Sequence, residues 1–270
     1  MFHIELIRSV QALRKFSDNI RTKQLESIRI ARVEKAVLFA GVSATISCKR
    51  HLIYLEKTQL ADGGWGDPEE TAWAASVMAH INGKEDLSVQ QGVHWLKRNH
   101  LVGGGWGKHS RDRARIPTTS LVLTLLPEAG CDEDYKWVAE EWAKDLSGAV
   151  QLSYKAGFYL LVADSPICRG NLELIDRTIS HLVKDQNDDG GFGPWRNHPI
   201  GSDPWSTGIV LWGLSKWIDR IDPSIIERAL HWLEVTQLPS GYWPYHYPDE
   251  GTSYALVGAV SAMRAMASWK

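Results

Sequence analysis

Residues 67–71 read Asp67-Pro68-Glu69-Glu70-Thr71, three carboxyl groups within four positions. Carboxyl groups this close repel one another when ionised, so one of them can keep a proton and serve as a general acid. The slot opens an almost wholly apolar run, Ala72-Trp73-Ala74-Ala75. Similar slots are Asp203-Pro204-Trp205-Ser206-Thr207, which keeps the first acid, and Asp249-Glu250-Gly251-Thr252. The slot at Ile116-Pro117-Thr118-Thr119 has no acid. The same residues also suit a structural use. Asp67 fits an N-cap, Pro68 the first helical position and Glu70 the third, which is the pattern of a capping box. Negative charge is favoured at a helix N-terminus. Asp203-Pro204 reads the same way. The two uses are compatible.

These slots need helices to hold them. Segments 72–81, 120–126, 157–163, 208–214 and 254–267 are apolar nearly all round, which implies burial on every side. Between them lie amphipathic segments. In 224–236, Ile226, Ala229, Leu230 and Leu233 share one face, and Glu227, Arg228, His231 and Glu234 oppose it. Segments 47–58, 88–99, 134–146 and 171–185 are alike. At the N-terminus, Ile4, Leu6, Ile7, Val10, Leu13 and Phe16 keep a helical period over 4–18, and a second helix is expected over 24–44. The spacing predicts six outer–inner pairs: 4–18 with 24–44, 47–58 with 71–83, 88–99 with 118–127, 134–146 with 149–164, 171–185 with 205–218, and 224–236 with 252–268. The expected fold is all-α, an (α/α)6 barrel of alternating inner and outer helices forming one domain over 1–270.

A turn recurs between outer and inner helices. It reads Gln59-Leu60-Ala61-Asp62-Gly63-Gly64-Trp65, then Gln186-Asn187-Asp188-Asp189-Gly190-Gly191-Phe192, then more loosely Gln237-Leu238-Pro239-Ser240-Gly241-Tyr242-Trp243. A fourth copy runs from His100 to Trp106, with His in place of Gln. Recurrence at fixed spacing is the signature of a repeat architecture.

Gln-x-x-Asp-Gly-Gly-Trp followed by Thr-Ala at an inner helix resembles the QW repeat of squalene-hopene and oxidosqualene cyclases. That repeat also marks class II diterpene cyclases and the wider group with the prenyltransferase and squalene-oxidase repeat. The resemblance covers about residue 48 to 270. It implies that Gln59/Trp65, Gln186/Phe192, Gln237/Trp243 and His100/Trp106 tie outer helices together and do no chemistry. It implies further that the slot at 67–70 matches an Asp-x-Asp-Asp motif whose middle acid protonates an alkene or epoxide. Glu69 then falls on the proton donor, with Asp67 and Glu70 beside it, and Asp203 holds the first acid of the corresponding slot. Two Glu and a Pro stand where the family has Asp and a free position. Carbocations are held by aromatic faces. Trp73, Trp195, Trp205, Trp212, Tyr245 and Tyr254 are the candidate lining, with Phe158, Tyr159 and Tyr247 in similar places. Loop residues His198 and His246 could hydrogen-bond the acid.

The resemblance therefore implies a class II terpene cyclase-like protein that cyclises a linear isoprenoid by protonation, with no cofactor and no metal. A non-catalytic prenyl-binding or scaffold toroid is the alternative. A single barrel leaves its mouth open, so a homo-oligomer or second-subunit lid is expected over it. A prenyltransferase β-like subunit would need a zinc site, which Cys131-Asp132 and Cys168 do not reproduce. A glycosidase would oppose Asp67 or Glu69 to Asp203 or Asp249, and the turn pattern argues against it. The lack of an Asp-Asp-x-x-Asp motif argues against ionisation of a diphosphate.

Composition narrows the partners. The net charge of -2 removes any electrostatic case for nucleic acid. The 13 Trp are either part of the repeat or cavity lining. Cys48, Cys131 and Cys168 are scattered and odd in number, which suits a reducing, cytoplasmic compartment. Glu5, Arg8 and Arg14 break the N-terminal apolar residues, so no signal peptide is read there. No apolar run approaches ~20 residues, and a peripheral membrane contact stays open.

Overall fold

The computed structural model describes residues 4–19, 26–42, 46–109 and 111–269, with backbone alone at 46–48. Among these residues there are twelve α-helices and no strand. In chain order they are α1 (Leu6–Asp18), α2 (Ser27–Phe39), α3 (Ile46–Thr58), α4 (Pro68–Asn82), α5 (Leu87–Arg98), α6 (Ile116–Leu125), α7 (Asp132–Leu146), α8 (Ser153–Ala163), α9 (Leu172–Asp185), α10 (Pro204–Leu214), α11 (Pro223–Thr236) and α12 (Pro248–Ser268). The expected all-α alternation is the one found. Short 3₁₀ turns follow α6 at Pro127–Ala129 and α10 at Ser215–Arg220. The chain divides into two compact units, Arg14–Val138 and Met1–Leu13 with Ala139–Lys270, and the boundaries fall inside α1 and α7.

Four of the buried helices begin earlier than their apolar runs suggest. Each carries a proline in its first turn: Pro68, Pro117, Pro204 and Pro248. Proline at that place forfeits no hydrogen bond and presets the helical φ. α10 also ends before the expected 218. Trp217 leaves helical geometry at φ -129°, and its indole N–H donates to Leu160 O at 3.1 Å.

In the unit of residues 14–138, α4 packs on α2, α5 and α6. Its residues from Thr71 to Met78 are all buried. α2 departs from the apolar pattern, because Arg32 and Glu34 are buried in it. Glu34 meets His51 Nδ1 at 2.7 Å and accepts from Ser17 Oγ at 3.3 Å. Paired and hydrogen-bonded in this way, a buried carboxylate is tolerable. In the other unit, α10 packs between α8 and α12. Glycines let the backbones approach there: a Cβ on Gly157 would stand 2.7 Å from Ile209 Cγ2.

The turns repeat atom by atom. The indole N–H of Trp65, Trp106 and Trp243 donates at 2.8 Å to the carbonyl ten residues upstream, that of Leu55, Leu96 and Leu233. The backbone N–H of Trp65, Trp106, Phe192 and Trp243 donates to the hydroxyl of Thr71, Thr119, Thr207 and Thr252, at 2.9–3.0 Å. Each such Thr lies in the first turns of the following buried helix. Gly63 and Gly190 adopt φ of +96° and +92°, a region open to glycine without strain. The next glycine lies flat against a Trp of the following amphipathic helix. A Cβ on Gly64 would stand 2.5 Å from the Trp95 ring, and one on Gly191 would stand 2.7 Å from the Trp232 ring. In the turn at 100–106 Trp137 stands farther off, 3.1 Å from a Cβ on Gly104 and 3.2 Å from one on Gly105. Much of the Trp content is therefore spent on the repeat.

Candidate active site

The first slot opens α4. Asp67 caps the helix, and its Oδ1 accepts from Glu70 N at 2.8 Å. Glu70 does not complete a capping box by reaching back. Its Oε1 instead accepts the backbone N–H of Ile28, in the first turn of α2, at 3.1 Å. α2 has no side-chain cap from its own N-cap residue, Glu26, so a residue of α4 supplies the acceptor. Burial is the main force on Glu70 and pushes its carboxyl up to about 7. The Ile28 N–H works against this, and the nearby charges of Asp67 and Glu26 add to it.

Asp67 and Glu69 face a different group. Lys108 Nζ lies 3.4 Å from Asp67 Oδ2 and 3.3 Å from Glu69 Oε2. Burial would lower the ammonium, but the two carboxylates outweigh it and hold Lys108 above its ordinary range. The slot thus contains an ion-paired half, Asp67–Lys108–Glu69, and a half-buried acid, Glu70. Lys108 was not legible in the sequence as part of this slot. It arrives from the irregular loop between Trp106 and Ile116, some 40 residues away in the chain, and nothing in the local pattern marks it. Trp73, two residues past Thr71, is buried in α4 of the same unit.

The second slot opens α10 in the other unit. Asp203 is buried and caps the helix, accepting from Ser206 N at 2.8 Å and Ser206 Oγ at 2.7 Å. Burial raises its pKa, while the bonds from Ser206 and the proximity of His198 oppose the rise. Trp205, next along, sits in an aromatic cluster. Its ring centre is 5.2 Å from Tyr154, 6.1 Å from Phe158 and 5.5 Å from Tyr254. Tyr245 packs beside Gly251, which also neighbours Pro204. Trp212 is buried two turns further along α10. Trp195 is 40% exposed and pairs edge-on with His198 at 4.2 Å. The His246 ring lies tilted against Tyr245 at 4.1 Å and edge-on to Tyr247 at 4.9 Å. The structure therefore brings Trp205 and Tyr254 together with Tyr154, a residue the sequence pattern did not single out. Asp249, in the sixth slot, is buried at the start of α12.

No family model matches the chain. Over a 74-residue alignment, taking in 21% of this chain, it is 31% identical to enfumafungin synthase efuA of Hormonema carpetanum. The chain spans 6% of that synthase's length. Solved structures give a broader likeness. The type II terpene cyclase MstE from Scytonema superposes with a TM-score of 0.76 at 15% identity, over 96% of this chain and 98% of that one. A variant of MstE in complex with geranylgeranyl dihydroxybenzoate, its substrate, gives 0.75 at 16% identity, over 96% and 98%. The ent-copalyl diphosphate synthase from Streptomyces platensis gives 0.61 at 14% identity, over 88% of this chain and 50% of that one. The chain has the all-α fold of these terpene cyclases. Among the described residues no helix is long and apolar enough to cross a membrane.

Proposed function

We propose that this protein is a class II terpene cyclase-like enzyme that cyclises a linear isoprenoid by protonating it. The observation that carries the reading is Glu70, a half-buried carboxyl raised to about 7. It sits in a three-carboxyl slot, in a chain with the fold of type II terpene cyclases. An acid that keeps its proton near neutral pH is what alkene protonation needs. The motif resemblance points to Glu69 as donor. The surroundings favour Glu70, because Glu69 is engaged in an ion pair with Lys108 at 3.3 Å. In this reading the Glu70 O–H bond breaks as a C–H bond forms on the terminal alkene, leaving a tertiary carbocation and the Glu70 carboxylate. Internal double bonds then close the rings, and loss of a proton to a base ends the sequence.

The non-catalytic reading rests on one observation too. Lys108 bridges two of the three acids, which leaves only Glu70 outside the ion pair. Incubation with farnesyl, geranylgeranyl and squalene-type substrates, followed by product analysis, decides between them. Cyclised product from the wild type that disappears in Glu70→Gln supports the proposal. Product lost in Glu69→Gln and kept in Glu70→Gln returns the donor to Glu69. Saturable quenching of tryptophan fluorescence by a prenyl ligand, without turnover in any variant, establishes the binding protein instead.

A further inference from the structure

The turn at residues 100–106 is built differently from the other three. In those, a glutamine amide ties the turn to a neighbouring helix. Gln59 Nε2 donates to Gly63 O and Ser88 O, each at 2.9 Å. Gln186 Nε2 donates to Gly190 O at 2.7 Å and Ile225 O at 2.9 Å. Gln237 Nε2 donates to Ser9 Oγ at 2.7 Å. In the remaining turn His100 takes the glutamine's place. Its Nε2 lies 2.5 Å from Asp134 Oδ1 in the first turn of α7. Cys131, just before that helix, has Sγ 3.4 Å from Asp134 Oδ2. One nitrogen, one sulfur and one carboxylate oxygen all lie within 4.8 Å of one another.

We propose that His100, Cys131 and Asp134 form a binding site for a divalent metal ion of the zinc class. Imidazole, thiolate and carboxylate are all zinc donors, and three protein ligands with an open fourth position is a common zinc arrangement. A thiolate beside an imidazole disfavours magnesium and calcium, which take oxygen ligands. Bonds of about 2.0–2.3 Å to a tetrahedral ion put ligand atoms roughly 3–4 Å apart. The present spacing needs about 1 Å of adjustment, within reach of side-chain rotation.

The carboxylate is already fixed. Its Oδ1 accepts from Gly105 N at 2.7 Å and its Oδ2 from Cys131 N at 2.9 Å. Asp134 is fully buried, His100 is partly exposed and Cys131 is exposed, so the set is open on one side. The other three turns manage with a neutral amide, whereas a buried carboxylate carries a desolvation cost that a cation would offset. Binding transfers the Cys131 thiol proton to solvent as the sulfur–metal bond forms.

The test uses the full chain, reduced, with cobalt(II) and zinc(II) as probes, in wild type, His100→Gln and Cys131→Ser. The glutamine variant restores the residue that the other turns use, so it should fold while lacking a ligand. The expected result is a single equivalent of metal retained by the wild type through gel filtration. Its cobalt form should show a thiolate-to-metal charge-transfer band in the near ultraviolet, and zinc should raise its Tm. His100→Gln should bind at least ~10-fold more weakly, and Cys131→Ser should lose the band. If His100→Gln does not fold, Cys131→Ser, altered at an exposed position, carries the test. Equal metal uptake by wild type and either variant, or a band that persists in Cys131→Ser, would overturn the site and leave a His–Asp turn clamp.

Discussion

The carboxylate of Glu70, at the start of α4, accepts the backbone N–H of Ile28, at the start of α2, across 42 residues of sequence at 3.1 Å. A side chain from the start of one buried helix thus caps the first turn of another. Its burial there raises its pKa from 4.5 to about 7. A carboxyl whose folded pKa lies above its unfolded value binds more protons when folded. Its contribution is fully present below pH 4.5 and is lost as pH rises through 7. At about 1.4 kcal/mol per pKa unit, and allowing for partial exposure, the loss is on the order of 1–3 kcal/mol. Chemical denaturation of wild type and Glu70→Gln at pH 5 and pH 8 should show this loss in the wild type alone. Parallel pH profiles for the two proteins would place the carboxyl in an ordinary solvated setting.

The turn tryptophans should be structural. Trp65 is 3% exposed and fills the space between α3 and the start of α4. Trp65→Ala should cost about 3–5 kcal/mol, as truncation of a buried aromatic does. Trp65→Phe keeps an aromatic ring but loses the bond to Leu55 O and part of the indole's volume, which should cost about 2–3 kcal/mol, less than the alanine variant. Phe192 already occupies the equivalent position in its own turn, so the second variant should fold. Urea melts give both numbers, and an unchanged midpoint for Trp65→Ala would remove the structural role.

Much of this was legible before any coordinates. The alternation of apolar and amphipathic segments gave the twelve helices because burial follows local periodicity. The turns were legible because glycine pairs and a following aromatic leave few alternative conformations. Asp67 and Asp203 were readable as N-caps for the same local reason. The rest depends on contacts between distant residues. Lys108 reaches Asp67 and Glu69 from a loop without periodicity. Glu70 fits a local capping box, but the N-terminus of α2 offers a donor without a side-chain partner, and that wins. Cys131 and Asp134 meet His100 only because α7 docks on the turn. The one local hint was a histidine where three other turns have glutamine.

Asp203 should matter to stability more than an exposed cap does. Its two oxygens hold the Ser206 N–H and hydroxyl in a buried setting. Asp203→Ala removes both acceptors and should cost about 2 kcal/mol, the upper end for a cap. Asp203→Asn keeps one acceptor oxygen and should cost less. Because burial raises its pKa, Asp203 favours its protonated form on folding, so its charged form costs stability above its ordinary carboxyl range. The asparagine variant should therefore recover part of its loss, relative to wild type, between a pH at the ordinary carboxyl range and one well above it. Thermal melts of the three proteins at the two pH values check the order. An Asp203→Ala protein as stable as Asp203→Asn would mean that water replaces the cap.

The glycines between α8, α10 and α12 make the most demanding prediction. A Cβ on Gly258 would come far closer to Gly208 O than van der Waals contact allows, and one on Gly213 would do the same to Gly157 O. Alanine is ordinarily favoured over glycine within a helix by about 1 kcal/mol. Here the overlap falls on backbone, which cannot rotate away. Overpacking of that kind costs about 1–3 kcal/mol or more, so the steric effect should win and Gly258→Ala should destabilise the protein. Gly170 gives the contrast, since a Cβ there meets no atom within 4 Å. Gly170→Ala should change stability by no more than about 0.5 kcal/mol. Denaturant midpoints of the two variants against wild type read the difference directly. A Gly258→Ala protein as stable as wild type would show that α10 and α12 can separate without loss, contrary to the close backbone approach between them.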